Sequence, residues 1–119
     1  MKKPYVIILF TGIANPWPLQ AHLKLLCTEL EIFEFKDHHE YKRSDIDKIL
    51  KKFDDQFSRN KIIVTTEKDV MRLIKTPYFS NFNKKPFYYI PVEHEFHKED
   101  KQMFINQIIN YVKKNKRNS

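Results

Sequence analysis

The run Tyr5-Val6-Ile7-Ile8-Leu9-Phe10, closed by Thr11-Gly12, is six apolar and aromatic residues without a polar interruption. A strand with one solvated face alternates apolar and polar residues, whereas a continuous β-rich run belongs to a central strand buried on both faces, as in a parallel sheet covered by helices. Met1-Lys2-Lys3-Pro4 before it has the charged start of a signal peptide, but the apolar stretch is short and no small-residue cleavage site follows. The run is therefore a strand.

Moving outward, Leu19, Leu23, Leu26 and Leu30 recur at helical spacing and predict a helix over about 17–30, with Pro18 acceptable in its first turn and Pro16 and Trp17 packing its start. A short second strand follows over 32–35. Ser44 and Asp47 have the spacing of a capping box, and Ile46, Ile49, Leu50, Phe53 and Phe57 form the stripe of the next helix. Residues 61–65 are a third strand, 66–74 a helix, 87–90 a fourth strand, and 98–112 a last helix burying Met103, Phe104, Ile108, Ile109 and Val112. Four alternations of strand and helix predict one three-layer α/β/α domain over 1–119, Rossmann-like. Its four-stranded sheet is mainly parallel, in the order 2-1-3-4. The folded core covers about 4–112, with a basic tail over 113–119.

Composition removes several functions. Gly12 is the one glycine in 119 residues, where average usage of about 7% would place about eight. Phosphate-cradling GxxxxGK[ST] and GxGxxG loops need several, because the backbone must approach the phosphates with no Cβ in the way. Neither motif is present. Of the 22 Lys and Arg, six lie in the ends 2–3 and 113–117, which leaves 16 bases against 15 acids between them. Nucleic-acid binders concentrate basic charge on a folded face, so no nucleic-acid partner is expected. Attraction of the tails to an anionic membrane surface stays open. Cys27 alone makes neither a disulfide framework nor a cysteine zinc site, which fits a reducing, cytoplasmic compartment. No apolar run approaches the roughly 18 residues that span a bilayer.

In such a sheet ligands collect outside the carboxyl ends of the strands, near the point where strand order reverses. Four polar segments fall there: Thr11-Gly12-Ile13-Ala14-Asn15-Pro16, Asp37-His38-His39, Thr65-Thr66-Glu67-Lys68-Asp69 and Glu93-His94-Glu95. Gly12 serves either a positive φ or close packing. Thr66 and Asp69 have capping-box spacing, which leaves Glu67 and Lys68 between them unexplained. Asp37-His38-His39-Glu40 is the richest titratable cluster. A His held by a neighbouring carboxylate can take a proton from a hydroxyl; a solvated loop and a metal site shared with Glu93 or His94 are the alternatives.

Read together, Gly12-Ile13-Ala14-Asn15-Pro16, Phe35-Lys36-Asp37-His38-His39 with Tyr41, Thr65-Thr66-Glu67-Lys68-Asp69 and Tyr89-Ile90-Pro91-Val92 resemble the C-terminal part of the tetraacyldisaccharide 4'-kinase family, the lipid A kinases. The likeness runs from about residue 5 to 92; Ala14 stands where the family pattern has a glycine. The resemblance implies a two-lobed enzyme that moves the γ-phosphate of ATP to the 4'-hydroxyl of a tetraacylated disaccharide 1-phosphate at the cytoplasmic face of the Gram-negative inner membrane. It implies that ATP and Mg²⁺ are held mainly by an N-terminal P-loop lobe absent from this chain, so that the chain alone is inactive and carries no metal site. It further implies that His38, beside Asp37, acts with an aspartate of that lobe on the acceptor hydroxyl. Gly12, Asn15, His39, Tyr41, Thr66, Glu67, Lys68 and Asp69 would then line the substrate or interlobe cleft. A metal-dependent phosphoesterase built on the Asp-His-His motif and a non-catalytic flavodoxin-like interaction domain are the competing classes.

Overall fold

A computed structural model describes residues 5–91. Strand β1 (Val6–Thr11) leads to helix α1 (Trp17–Lys24), β2 (Glu29–Glu34), α2 (Arg43–Asp54), β3 (Lys61–Thr66), α3 (Glu67–Leu73), a 3-10 turn over Phe79–Phe82, and β4 (Phe87–Ile90). The sheet order is β2-β1-β3-β4 and every pairing is parallel, as expected. The expected helix over 98–112, the segment Glu93-His94-Glu95 and the basic tail lie outside the described residues.

All six residues of β1 are buried, and the alternation of side chains sends them to two cores. Val6, Ile8 and Phe10 join Ile46, Ile49 and Phe53 of α2, Leu73 of α3 and Phe82. Ile7 and Leu9 join Leu23 of α1, Ile62 and Val64 of β3, and Ile90. Right-handed crossovers explain the division: the chain moves one way from β1 to β2 and the other way from β2 to β3, so α1 and α2 must cover opposite faces. The order therefore reverses between β1 and β3. In open α/β sheets ligands bind outside the carboxyl ends of the strands at such a reversal, here those of β1 and β3.

Four expectations are corrected. The first helix stops at Lys24, and Leu30 lies in β2. Leu25 and Leu26 close the helix with bonds to the carbonyls of His22 and Leu23, and Thr28 then docks on the Tyr5 carbonyl through both its N–H (3.0 Å) and its hydroxyl (2.8 Å). Leu19, Leu26 and Leu30 pack on one cluster, so apolar spacing continued past the end of the helix. Trp17 is 63% exposed rather than packed, although Pro16 is buried. Phe57 belongs to no helix and is fully exposed. The Lys61 ammonium takes the carbonyls of Phe53 (2.8 Å) and Gln56 (3.3 Å) and turns the chain before it. The second helix is capped by Asp45, whose carboxylate accepts the Lys42 N–H at 2.9 Å, not by the Ser44–Asp47 pair.

Candidate functional site

Three segments are sewn together where β1 and β3 end, and the thread is Asp69. Its side chain is fully buried. Oδ1 accepts the Gly12 N–H at 2.9 Å, the Tyr41 hydroxyl at 2.8 Å and Nη1 of Arg72 at 3.3 Å, while Oδ2 accepts the Thr66 hydroxyl at 2.5 Å. Thr66 is the N-cap of α3 and accepts the Asp69 N–H at 3.2 Å. The predicted capping pair is therefore present, and it carries more than a cap. A buried carboxylate needs partners for its charge and lone pairs, and here they come from three separate stretches of chain.

Gly12 is used for close approach and not for φ, since it does not occupy the positive-φ region. A Cβ there would meet the Lys36 carbonyl oxygen at 3.1 Å, Nη1 of Arg72 at 3.2 Å and Oδ1 of Asp69 at 3.2 Å. Its amide is committed to Asp69, and its carbonyl accepts from Arg72 (2.7 Å) and from the His38 N–H (3.0 Å). This glycine therefore has no amide left to cradle a phosphate.

Tyr41 is buried against Phe10, Phe35 and His39 in edge-on contacts. Burial and the adjacent Asp69 charge push its phenol well above the usual range, so it remains a hydrogen-bond donor.

The two adjacent histidines diverge. His39 is half-buried, stacks on Phe35 with ring centroids 4.3 Å apart, and bonds to Asp45 at 2.9 Å. Partial burial acts to raise the Asp45 carboxyl, but the hydrogen bonds from Lys42 and His39 outweigh it and hold the group below the usual carboxylate range. His39 thus anchors the loop to α2. His38 stands out from the crevice with its side chain 82% exposed and its backbone at φ 63°, the left-handed region that non-glycine residues enter at a cost. The bond from its N–H to Gly12 helps hold that conformation. Its Nε2 lies 3.6 Å from Asp37 Oδ2, and its Nδ1 lies 3.4 Å from Nη2 of Arg72.

Gly12, Tyr41, Thr66 and Asp69 thus meet in one buried cluster, with Asp37 and His38 at its solvent edge. Asn15 and Lys68 are exposed and Glu67 is half-buried. Arg72 is the residue that sequence reasoning passed over: one helical turn beyond Asp69, it touches Gly12, Asp69 and His38. Its signal was the extension of Thr-Glu-Lys-Asp to an arginine three residues on. Among the described residues no group of three His, Cys, Asp or Glu side chains converges as metal ligands would.

A family model described as tetraacyldisaccharide-1-P 4'-kinase matches residues 2–112. The chain is 40% identical over 113 residues to the tetraacyldisaccharide 4'-kinase of Bacteroides thetaiotaomicron, covering 95% of this chain and 30% of that protein. It is 35% identical over 119 residues to the enzyme of the same name from Phocaeicola vulgatus, covering all of this chain and 32% of that protein. Against that of Flavobacterium psychrophilum it is 35% identical over 105 residues, covering 88% and 27%. The chain spans about a third of the length of the curated relatives it matches. No solved structure matches it.

Proposed function

The chain belongs to the tetraacyldisaccharide 4'-kinase family, and on that premise we propose that it is the C-terminal domain of a kinase that phosphorylates the 4'-hydroxyl of tetraacyldisaccharide 1-phosphate in lipid A synthesis. The reaction forms a bond from the acceptor oxygen to the γ-phosphorus of ATP, breaks the bond to the leaving ADP oxygen and releases the hydroxyl proton. Phosphoryl transfer depends on in-line positioning and on charge neutralisation at the phosphates. The second requirement falls to a P-loop lobe that binds ATP and Mg²⁺. This chain orients the acceptor and receives its proton.

The observation that carries the reading is the Asp37–His38 pair, held outward at the topological switch point by a strained backbone that the Gly12 carbonyl helps to fix. Strain of this kind persists where a side chain must be presented in one direction. Below it the Asp69 cluster acts as a rigid floor, with Gly12, Tyr41 and Thr66 supporting the crevice. Asn15, Glu67 and Lys68 lie on the surface that would meet the substrate or the other lobe, and the whole enzyme works at the cytoplasmic face of the inner membrane.

The test mixes the purified chain with ATP, Mg²⁺ and the disaccharide 1-phosphate, with and without the N-terminal lobe of a relative fused to it. Product is expected from the fusion alone. Product from the isolated chain overturns this division of labour.

A further inference from the structure

The α1 side of the sheet's carboxyl edge carries polar and aromatic groups that the Asp69 cluster does not use. Strand register sets Thr11 beside Glu34, the last residues of β1 and β2. The alternation that sends Ile7, Leu9 and Leu30 to the core under α1 puts both on the α1 face. Thr11 is fully buried, and among the described residues its hydroxyl has no hydrogen-bond partner. Glu34 is exposed, and its Oε1 accepts from Nε2 of Gln20 at 2.7 Å. Trp17 stands three residues before Gln20 on α1, so the two are neighbours on one face of that helix. Leu19 and Leu23 supply the packing of α1 on its core, a role that Trp17, 63% exposed, does not share.

One aromatic ring beside a few fixed polar groups suits a ligand with apolar faces and a polar rim. A pyranose has that form, with C–H bonds on its faces and hydroxyls around its edge. The Gln20–Glu34 bond leaves an amide N–H, the amide oxygen and the second carboxylate oxygen for those hydroxyls. It also orders both side chains beforehand, so less freedom is lost on binding. A phosphate would meet the Glu34 charge, and an acyl chain would strip water from the polar pair and give nothing back. The unpartnered Thr11 hydroxyl beside Glu34 is a further group that a hydroxyl-bearing ligand satisfies through a bridging water. We propose that Trp17, Gln20 and Glu34 form a saccharide subsite, in which Trp17 stacks on a pyranose ring of the acceptor disaccharide and the Gln20–Glu34 pair binds its hydroxyls. The assignment rests on the reading of this chain as the acceptor-orienting part of a kinase. Glu34 lies three residues before Asp37, a reach of at most about 11 Å, which sets a saccharide held there next to the loop of Asp37 and His38.

Trp17 is the sole tryptophan of the chain, so its fluorescence reads this residue alone. Titration of the 119-residue chain with the deacylated disaccharide 1-phosphate is expected to quench the emission or shift it to the blue, and to saturate. Inorganic phosphate and decanoate should leave the emission unchanged. In Glu34→Ala, an exposed position whose loss the fold tolerates, the midpoint of the saccharide titration moves about ten-fold higher. Silence toward the saccharide, an equal response to phosphate or decanoate, or an unchanged midpoint in Glu34→Ala overturns the proposal. A tryptophan that only met the other lobe would give that silence.

The two-lobed kinase supplies the second arm. Trp17→Ala is expected to raise KM for the disaccharide about ten-fold with kcat and KM for ATP little changed, because stacking on a ring away from the reacting atoms is alike in ground and transition states. An unchanged KM for the disaccharide contradicts the subsite. If the two-lobed protein without substitutions does not phosphorylate the disaccharide, the kinase reading fails, while the fluorescence titration still decides whether these residues bind a saccharide.

Discussion

Replacing Asp69 by Asn separates a buried hub from an ordinary helix cap. Three short bonds reach this carboxylate, from the Gly12 N–H (2.9 Å), the Tyr41 hydroxyl (2.8 Å) and the Thr66 hydroxyl (2.5 Å), with Arg72 a longer fourth at 3.3 Å. A hydrogen bond to a charged group nets about 1.5–3 kcal/mol against about 0.5–1.5 for a neutral one. Loss of the charge alone therefore costs about 1 kcal/mol at each of the three. An amide has one acceptor oxygen, so its NH2 group must face a donor in a site with no solvent access, adding about 1–3 kcal/mol. Rotation of the Thr66 hydroxyl recovers part of this, leaving about 3–5 kcal/mol. Loss of a cap alone costs typically about 1 kcal/mol. Urea denaturation followed by circular dichroism, with equal m-values for the two proteins, measures the difference. A loss of about 1 kcal/mol or less would refute the hub.

Three further outcomes are expected. Gly12→Ala gains about 0.4–1 kcal/mol from a stiffer unfolded chain but overpacks three contacts of 3.1–3.2 Å, which costs typically about 1–3 kcal/mol; denaturation should show a net loss, and a stabilised variant contradicts the tight floor. His38→Gly relieves a left-handed residue at φ 63°, a strain of roughly 1–2 kcal/mol set against about 0.5–1 kcal/mol of glycine entropy; stability should hold or rise while kinase activity of the two-lobed enzyme falls. Stability should also bend at both ends of the pH scale. Asp45, lowered in the folded state, stabilises above its ordinary value of 3.8 and loses that contribution as pH falls through its folded value. Tyr41, raised in the folded state, stabilises fully below pH 10.0 and progressively loses that contribution as pH rises beyond it. Asp45→Asn should flatten the acid limb and Tyr41→Phe the alkaline one in pH-dependent thermal melts, and unchanged limbs would contradict the assigned partners.

The sheet was legible because its signal is local: the unbroken apolar character of β1 and β3 indicates strands covered on both faces, and right-handed crossovers leave few orders to choose from. Where the reading failed, two elements shared one core. Leu26 and Leu30 continue the spacing of α1 because turn and strand pack on the same cluster as the helix. The site was half legible. Thr66 and Asp69 announce a cap three residues apart, but Asp69 also binds Gly12 across 57 residues and Tyr41 across 28, contacts no local pattern encodes. Arg72 sits on a short helix among Met71 and exposed charges and resembles a solvated face until the fold brings Gly12 and His38 to it. His38 and His39 stand together in sequence, and only the positive φ at His38 shows that one faces solvent and the other α2.

The most direct measurement of the central claim is the steady-state kinetics of the two-lobed kinase carrying His38→Ala. A group acting on the acceptor hydroxyl contributes typically about 10²–10⁴-fold. The account predicts a kcat loss of that order for 4'-phosphorylation, with KM for ATP unchanged because the proposal assigns the nucleotide to the other lobe. An unaltered kcat, or a loss expressed only in KM for ATP, would contradict it.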